Sequence, residues 1–390
     1  MIYAVLIGIV TAFVSMIFNF LVENLVIIVL YVNNYFFSAH FFPIFGGFII
    51  GIINKYIIKD DREFEIVAIE HEISNVNVQM LKLKNILLKT IASVISLGFG
   101  FSLGKQGTII YLGGSIGSLF AFELDLPKED IKTYIGCGVA GMISGVFGLP
   151  LLGIVLVNEI LIEKITLRRS LLIGISVVTS YIIFYIYSNN EMFFTVYNNG
   201  TNMMNYDVKY IVLMGLLAGF ISILYNQSVN KIPDKFLMKW PMITPLVAGI
   251  IITLVGLNMK EIYILHFNSI EELLLGDNTI MYLILYIIIK IILTGISYNF
   301  GGYGGVFLPG IMIGAVLGKS YFLATGCASM DVAIILAVAG VFTGFSGGAI
   351  SGIVLGFELS GYNIEMMFPL VIVSYISYLI VKSSKIKFLY

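Results

Sequence analysis

From Ile2 to Val381 the chain is a succession of apolar runs, many of them too short to cross a bilayer as one straight helix. The runs fall near 2–31, 41–58, 86–103, 108–122, 134–146, 149–162, 171–187, 209–225, 241–257, 279–299, 305–324, 332–345, 349–360 and 364–381. A hydrocarbon core about 30 Å thick needs ~20 apolar residues of straight helix. The first run exceeds that length, and runs such as 349–360 fall well short of it. Short, glycine-interrupted pieces imply broken or half-spanning helices, which a membrane tolerates where the freed backbone lines a cavity. Only 12% of the residues are charged and 59% are hydrophobic. A soluble domain carries about 25% charged residues, so this chain lacks the charge to cover a water-facing surface. The expected class is an all-α integral membrane protein. The first run has no basic n-region and no small-residue cleavage site, so it reads as a retained membrane helix.

Several function classes lose their support at this level. The net charge of −1 offers no basic surface for nucleic acid. Cys137 and Cys327 sit far apart in apolar segments outside any CxxC pair, as buried small hydrophobes do. His40, His71 and His266 have no metal-ligand spacing, so neither a metal nor another cofactor is expected. No Ser-His-Asp arrangement or HExxH motif supports an enzyme.

Charge separates the loops by side. Lys55, Lys59, Arg62, Lys82 and Lys84 share one region; Lys128 and Lys132, then Lys164, Arg168 and Arg169, then Lys231, Lys235 and Lys239, and finally Lys382, Lys385 and Lys387 mark others. The loop 188–205 has no Lys or Arg, and 258–278 sets Lys260 against Glu261, Glu271, Glu272 and Asp277. The positive-inside rule puts the basic loops in the cytoplasm and these two outside. The expectation is a multi-pass protein of the cell membrane with both termini cytoplasmic.

The chain also resembles itself. GVAGMISGVFGLPLLGIVLVNEI (138–160) aligns with AVAGVFTGFSGGAISGIVLGFEL (337–359) at an offset of 199, pairing Gly141 with Gly340, Gly145 with Gly344, Gly148 with Gly347, Gly153 with Gly352 and Glu159 with Glu358. GKQGTIIYLGGSIGSLF (104–120) aligns with GGYGGVFLPGIMIGAVL (301–317) at 197, pairing Gly113 with Gly310 and Gly117 with Gly314. The reading is a first transmembrane repeat over 1–190, an outer linker at 191–205 and a second, inverted repeat over 206–390. Inverted repeats place a binding site near the midplane, between equivalent broken helices. The turns GKQGT and GGYGGVF each open a helix, and a helix start offers free amides and partial positive charge to an anion. Close helix packing is the other use of such glycines. Glu159 and Glu358 are either functional intramembrane carboxylates or side chains that reach water at a helix end. Lys105 either raises the anion concentration at an outer mouth or reaches to the interface, and Lys290 is similar.

These segments resemble the CLC chloride channel and transporter family. GKQGTIIYLGGSIG resembles its GREGP-type helix start, and GMISGVFGLPLLGIVLVNEI the G-x-x-x-x-F-x-x-P-L-x-G-x-x-x-x-x-E segment that follows. GGYGGVFLPGIMIGAVLG is similar to its GGxFxP motif, and AGVFTGFSGGAISGIVLGFELSGYN to its late helix. The final Lys-Phe-Leu-Tyr resembles the Lys-Pro-Leu-Tyr that supplies the family's inner tyrosine. The resemblance implies a homodimer in lipid, with 150–162, 171–187, 349–360 and 364–381 at the subunit contact, each subunit carrying a path for a small inorganic anion such as chloride. It further implies that Val306 and Phe307 give amides to a central anion. Lys105, Gln106 and Gly107, with Phe307 and Leu308, would surround an outer site, and Tyr390 would offer its hydroxyl from inside.

Three departures qualify the match. Gln106 stands at the family's gating glutamate, Ile160 at the inner proton-transfer glutamate, and Phe-Glu-Ile-Val-Ala at 64–68 where a serine motif belongs. The stretch 60–72 is acidic instead. The resemblance thus implies an anion channel or transporter without tight proton coupling. A fluoride-type member is the variant reading, since Thr108 follows Gly107, although that branch keeps the gating glutamate. A relative that keeps the fold and binds an anion without transporting it is the rival from another class.

Overall fold

The structure, a computed structural model, describes residues 1–35, 41–58, 83–124, 127–161, 166–188, 207–230, 239–263, 273–326 and 329–389. The helices are α1 (Ile2–Tyr35), α2 (Phe42–Ile52, continued as a π turn over Ile53–Ile58), α3 (Leu83–Gly98), α4 (Gln106–Glu123), α5 (Lys128–Phe147), α6 (Pro150–Leu156, continued as a π turn over Val157–Leu161), α7 (Leu167–Tyr187), α8 (Val208–Asn230), α9 (Ile243–Gly256), α10 (Ile280–Asn299), α11 (Phe307–Thr325), α12 (Met330–Ser346), α13 (Ala349–Leu359) and α14 (Met367–Ser383). Each apolar run of the sequence holds one of them, and the all-α membrane architecture is as expected. The expected linker 191–205 lies outside the described residues.

The long runs and the short ones fold for different reasons. Helices such as α1, α8 and α10 are long and apolar enough to cross a membrane. They expose large apolar side chains on their outer faces, Phe13, Phe220 and Ile288 among them, as lipid permits. The short helices come from local breaks. Gly148 ends α5 and Gly347 ends α12, both left-handed at φ 65° and 79°, a conformation glycine adopts without the Cβ clash. One break is followed by Pro150 at the first position of α6, where its missing N–H is no loss.

The two breaks belong to equivalent cores. α5 is clasped by α1, α4 and α7, and α12 by α8, α11 and α14. In the first core Ser15 Oγ donates to the Gly145 carbonyl at 3.0 Å and Ser180 Oγ to Gly141 at 2.7 Å. In the second, Asn226 Nδ2 donates to Gly344 at 3.1 Å and Ser377 Oγ to Gly340 at 2.7 Å. A Cβ on Gly153 would lie 2.8 Å from the Ala140 carbonyl, and one on Gly352 would lie 2.9 Å from Ala339. The acceptor carbonyls and the packing glycines match at the offset of 199, whereas the donors, Ser15 against Asn226 and Ser180 against Ser377, do not. Apolar burial drives little between helices in lipid, so close packing at small residues and cross-helix hydrogen bonds hold them together.

The second alignment slips by one helical turn. A Cβ on Gly113 would meet Gly138, and one on Gly117 would meet Tyr134 and Ile135. Their counterparts by contact are Gly314 against Val338 and Gly318 against Ile334. The offset there is 201, not 197. Glycines recur every fourth residue on both helices, so a shift of one turn preserves the matches and sequence comparison cannot choose between registers.

Gly117→Ala would place its methyl 2.1 Å from the Tyr134 carbonyl, and Gly318→Ala 2.4 Å from the Ile334 Cα. Each should destabilise the protein by about 1–3 kcal/mol. The two should add, because they lie in separate cores. Thermal unfolding in a mild detergent measures both.

Candidate functional site

The starts of α4 and α11 meet inside the protein. The Gly104 N–H donates to the Gly305 carbonyl at 2.6 Å, and the Gly305 N–H donates back to Gly104 at 2.7 Å. The loops on either side are pinned in the same reciprocal way. The Ser102 N–H donates to Ser297 Oγ at 3.1 Å, and the Tyr303 N–H to Ser96 Oγ at 2.9 Å. All of these residues match at the offset of 201, so a local two-fold runs through the glycine pair. A Cβ on Gly305 would lie 2.3 Å from the Gly107 nitrogen, and one on Gly104 would lie 2.6 Å from the Leu308 Cβ. Only glycine lets the two helix starts approach this closely.

The peptide groups around the bridge are oriented by what they bind. The Val306 carbonyl accepts from the Tyr225 hydroxyl of α8 and from the Gly310 N–H. A trans peptide points its N–H away from its C=O. Anchoring the Val306 carbonyl on Tyr225 therefore sends the Phe307 N–H the opposite way. By the same geometry, the bond from Gly104 to the Gly305 carbonyl turns the Val306 N–H away from Gly104. Neither of these two amides has an acceptor among the described residues. They sit at the start of a long helix, where the aligned peptide dipoles add partial positive charge. Val306, Phe307 and Leu308 are buried. The Phe307 ring meets Phe342 edge-on at 4.8 Å and Phe345 at 6.2 Å, and stacks with Phe147 at 6.3 Å. These rings exclude water, which strengthens any charge–dipole interaction inside.

Gln106, 2% exposed, completes the cluster from the other helix. Its Oε1 accepts from the Leu308 N–H at 3.2 Å. Its Nε2 has no acceptor among the described residues. Gly107 is buried beside it.

Two further helix starts face inward, and the chain fills them itself. The Glu358 carboxylate, at the end of α13, accepts from the Leu151 and Leu152 N–H groups at the start of α6, both at 2.8 Å. Glu159, in the π turn ending α6, accepts from Ile350 at 3.1 Å, from Ser351 N–H at 2.8 Å and from Ser351 Oγ at 2.6 Å, at the start of α13. Each acid caps the helix that carries the other. Glu358 is 1% exposed, so it does not reach water; it neutralises an opposing helix start. Among the described residues, the α4 and α11 pair has no such internal anion.

The remaining sequence candidates fall as follows. Lys105 pairs with Glu23 at 3.2 Å and with Asn19 Oδ1 at 3.1 Å, both on α1. Its charge is offset by this pair. Lys290 is fully buried and donates to the Ile262 carbonyl at 2.7 Å, and Lys319 donates to the Leu273 and Gly276 carbonyls. Lys290 and Lys319 thus tie down backbone at Ile262, Leu273 and Gly276. Ile160 packs half-buried against the core beside Glu159. Cys137 is buried as expected. Tyr390, the acidic stretch 60–72 with 64–68 inside it, and Cys327 lie outside the described residues. The chain nevertheless arrives near the rings, because the Leu389 N–H donates to the Phe345 carbonyl at 2.8 Å. Sequence reasoning missed Tyr225, Ser96 and Ser297. The available signal was a Ser222, Tyr225, Asn226 and Ser228 stripe on an otherwise apolar span.

The family model described as voltage gated chloride channel matches residues 46–382. The H(+)/Cl(-) exchange transporter ClcA of Klebsiella pneumoniae is 29% identical over 251 residues, 61% of this chain and 52% of that protein. Its counterpart in Citrobacter koseri is 25% identical over 307 residues, 73% of this chain and 63% of that protein. The chain thus spans about half to two-thirds of the length of these relatives. Among solved structures, a slow cyanobacterial Cl-/H+ antiporter superposes with a TM-score of 0.84 at 18% identity, covering 99% of this chain and 95% of that one. A CLC-type fluoride/proton antiporter superposes at 0.81 and 19% identity, covering 98% and 95%. At these identities the likeness is one of fold.

Glu358→Ala leaves the Leu151 and Leu152 amides without an acceptor, and each unsatisfied buried donor costs about 1–3 kcal/mol. Glu358→Gln keeps one acceptor oxygen. Thermal unfolding in detergent should rank wild type above the glutamine variant, and that above the alanine variant.

Proposed function

The chain belongs to the voltage gated chloride channel family, and on that premise we propose that it moves a small inorganic anion across the cell membrane without tight proton exchange. The carrying observation is the neutral Gln106 beside two unengaged amides at the meeting of two helix starts. Amides and helix dipoles stabilise an anion without a fixed cation, so no strong ion pair must be broken for it to leave. The anion would sit at Val306 and Phe307, with Gln106, Gly107 and Leu308 toward the outer side beside Lys105, and Tyr390 on the inner side. The names of the relatives describe chloride/proton and fluoride/proton exchange. In this chain Gln106 and Ile160 stand at the two family positions for titratable carboxylates, and neither can take up and release a proton near neutral pH.

The site lies between the repeats proposed over 1–190 and 206–390, with both termini cytoplasmic by the charge of the loops. A homodimer would join two copies of the chain through α6, α7, α13 and α14. Their outer faces present Leu171, Ile182, Ile186, Ile350, Phe368 and Tyr375 in exposed positions.

Purified protein in liposomes should pass chloride down an imposed gradient, with fluoride and nitrate compared, and should move no protons uphill. Gln106→Glu should make the flux fall as pH rises, because the ionised carboxylate competes with the anion and the protonated one does not. Stoichiometric uphill proton movement would sink the uncoupled reading. Absence of both flux and halide binding would leave a relative that keeps only the fold. Crosslinking in mild detergent should capture a dimer, and a monomer at every concentration with transport intact would remove that claim.

A further inference from the structure

Gln106 departs from a carboxylate in more than its lack of charge. Its Oε1 is committed to the Leu308 N–H. The reverse assignment of the amide would set Nε2 against that N–H, donor against donor, so the Leu308 contact fixes which atom is which. Nε2 shares a carbon with Oε1 and so lies beside the same helix start. It is buried with the rest of the side chain and has no acceptor among the described residues. Buried donors are nearly always satisfied. Other donors without an acceptor at this helix start are the Val306 and Phe307 amides. Lys105, the neighbouring cation, is occupied by Glu23 and Asn19.

We propose that Gln106 Nε2 is a direct ligand of the anion and sets its size preference. This deepens the anion-transport reading and rests on it. Where a carboxylate would compete with the anion for these amides, the glutamine carbonyl takes only Leu308 and its nitrogen adds a donor to the remaining two. A side-chain amide, two backbone amides and a helix start together make a compact donor set. Such a set favours a small anion of concentrated charge over a large diffuse one, since the attraction falls with distance. It also holds Gln106 in place when the anion is present and leaves it with one bond when the anion is absent. Occupancy thereby fixes the side chain that borders the outer side of the site.

The test uses the full chain in detergent, titrated with sodium chloride and with sodium thiocyanate, for wild type and Gln106→Leu. Losing one hydrogen bond to a charged ligand should weaken chloride by about 10-fold or more and thiocyanate by less. Equal chloride affinity in the two proteins overturns the proposal. A bromide-soaked crystal of the wild type decides the point independently, should the leucine variant fail to fold. Anomalous density within hydrogen-bond reach of Nε2 and of the Val306 and Phe307 amides supports the assignment. Density at the two amides but away from Nε2 overturns it and leaves the transport reading intact. Failure of the wild type to bind any of these anions overturns both.

Discussion

Two hydrogen bonds between Gly104 and Gly305 hold the centre of this protein. They are backbone bonds in a region where neither partner has water to fall back on, so breaking them leaves buried donors and acceptors unmatched. The absence of side chains at both positions allows the approach, and the approach sets two helix starts against each other. Everything that marks the site follows from that geometry: the turned-away amides of Val306 and Phe307, the reach of Gln106 to Leu308, and the ring of phenylalanines packed over the junction. Tyr225 acts from outside this group, gripping the far side of one peptide plane and thereby aiming the near side.

The protein uses the same physics twice with opposite outcomes. Among the described residues, the starts of α4, α6, α11 and α13 point inward. At α6 and α13 the partial charge is met by Glu358 and Glu159, each supplied by the end of the opposing helix. At the start of α11 the side-chain acceptor among the described residues is the neutral carbonyl of Gln106. An ionised carboxylate meets a helix start with a full negative charge; a neutral glutamine carbonyl does not. That contrast separates a structural junction from one with room in its electrostatics for an external anion. It also gives the two acids a role that neither of the sequence readings anticipated.

Much of the architecture was legible in the residues. The apolar runs marked the helices, because lipid tolerates little else, and glycines between short runs, Gly148 and Gly347 among them, marked the breaks. The 199 offset was legible because Glu159 and Glu358, and the glycines before them, occur once per repeat. The register of α4 against α11 was not, because glycines four residues apart look alike after a one-turn slip. Lys105 and Lys290 were visible as charges, but their partners Glu23 and the Ile262 carbonyl lie far away in the chain. No local pattern could have joined them.

The sequence by itself determined that this chain lives in a membrane, that it is helical, that it is internally repeated, and that glycines open two of its helices. It also carried the family likeness and a departure from it, since glycine spacing and the neutral residue at 106 are both properties of the string. Only the tertiary structure decided which helix starts are filled and which are open. The partners come from other helices: Tyr225 holds the Val306 carbonyl and so turns the Phe307 N–H, and Glu358 accepts from the Leu151 and Leu152 N–H groups. Partial charges in a protein interior become a site only when their surroundings leave them unbalanced, and that balance exists only in three dimensions.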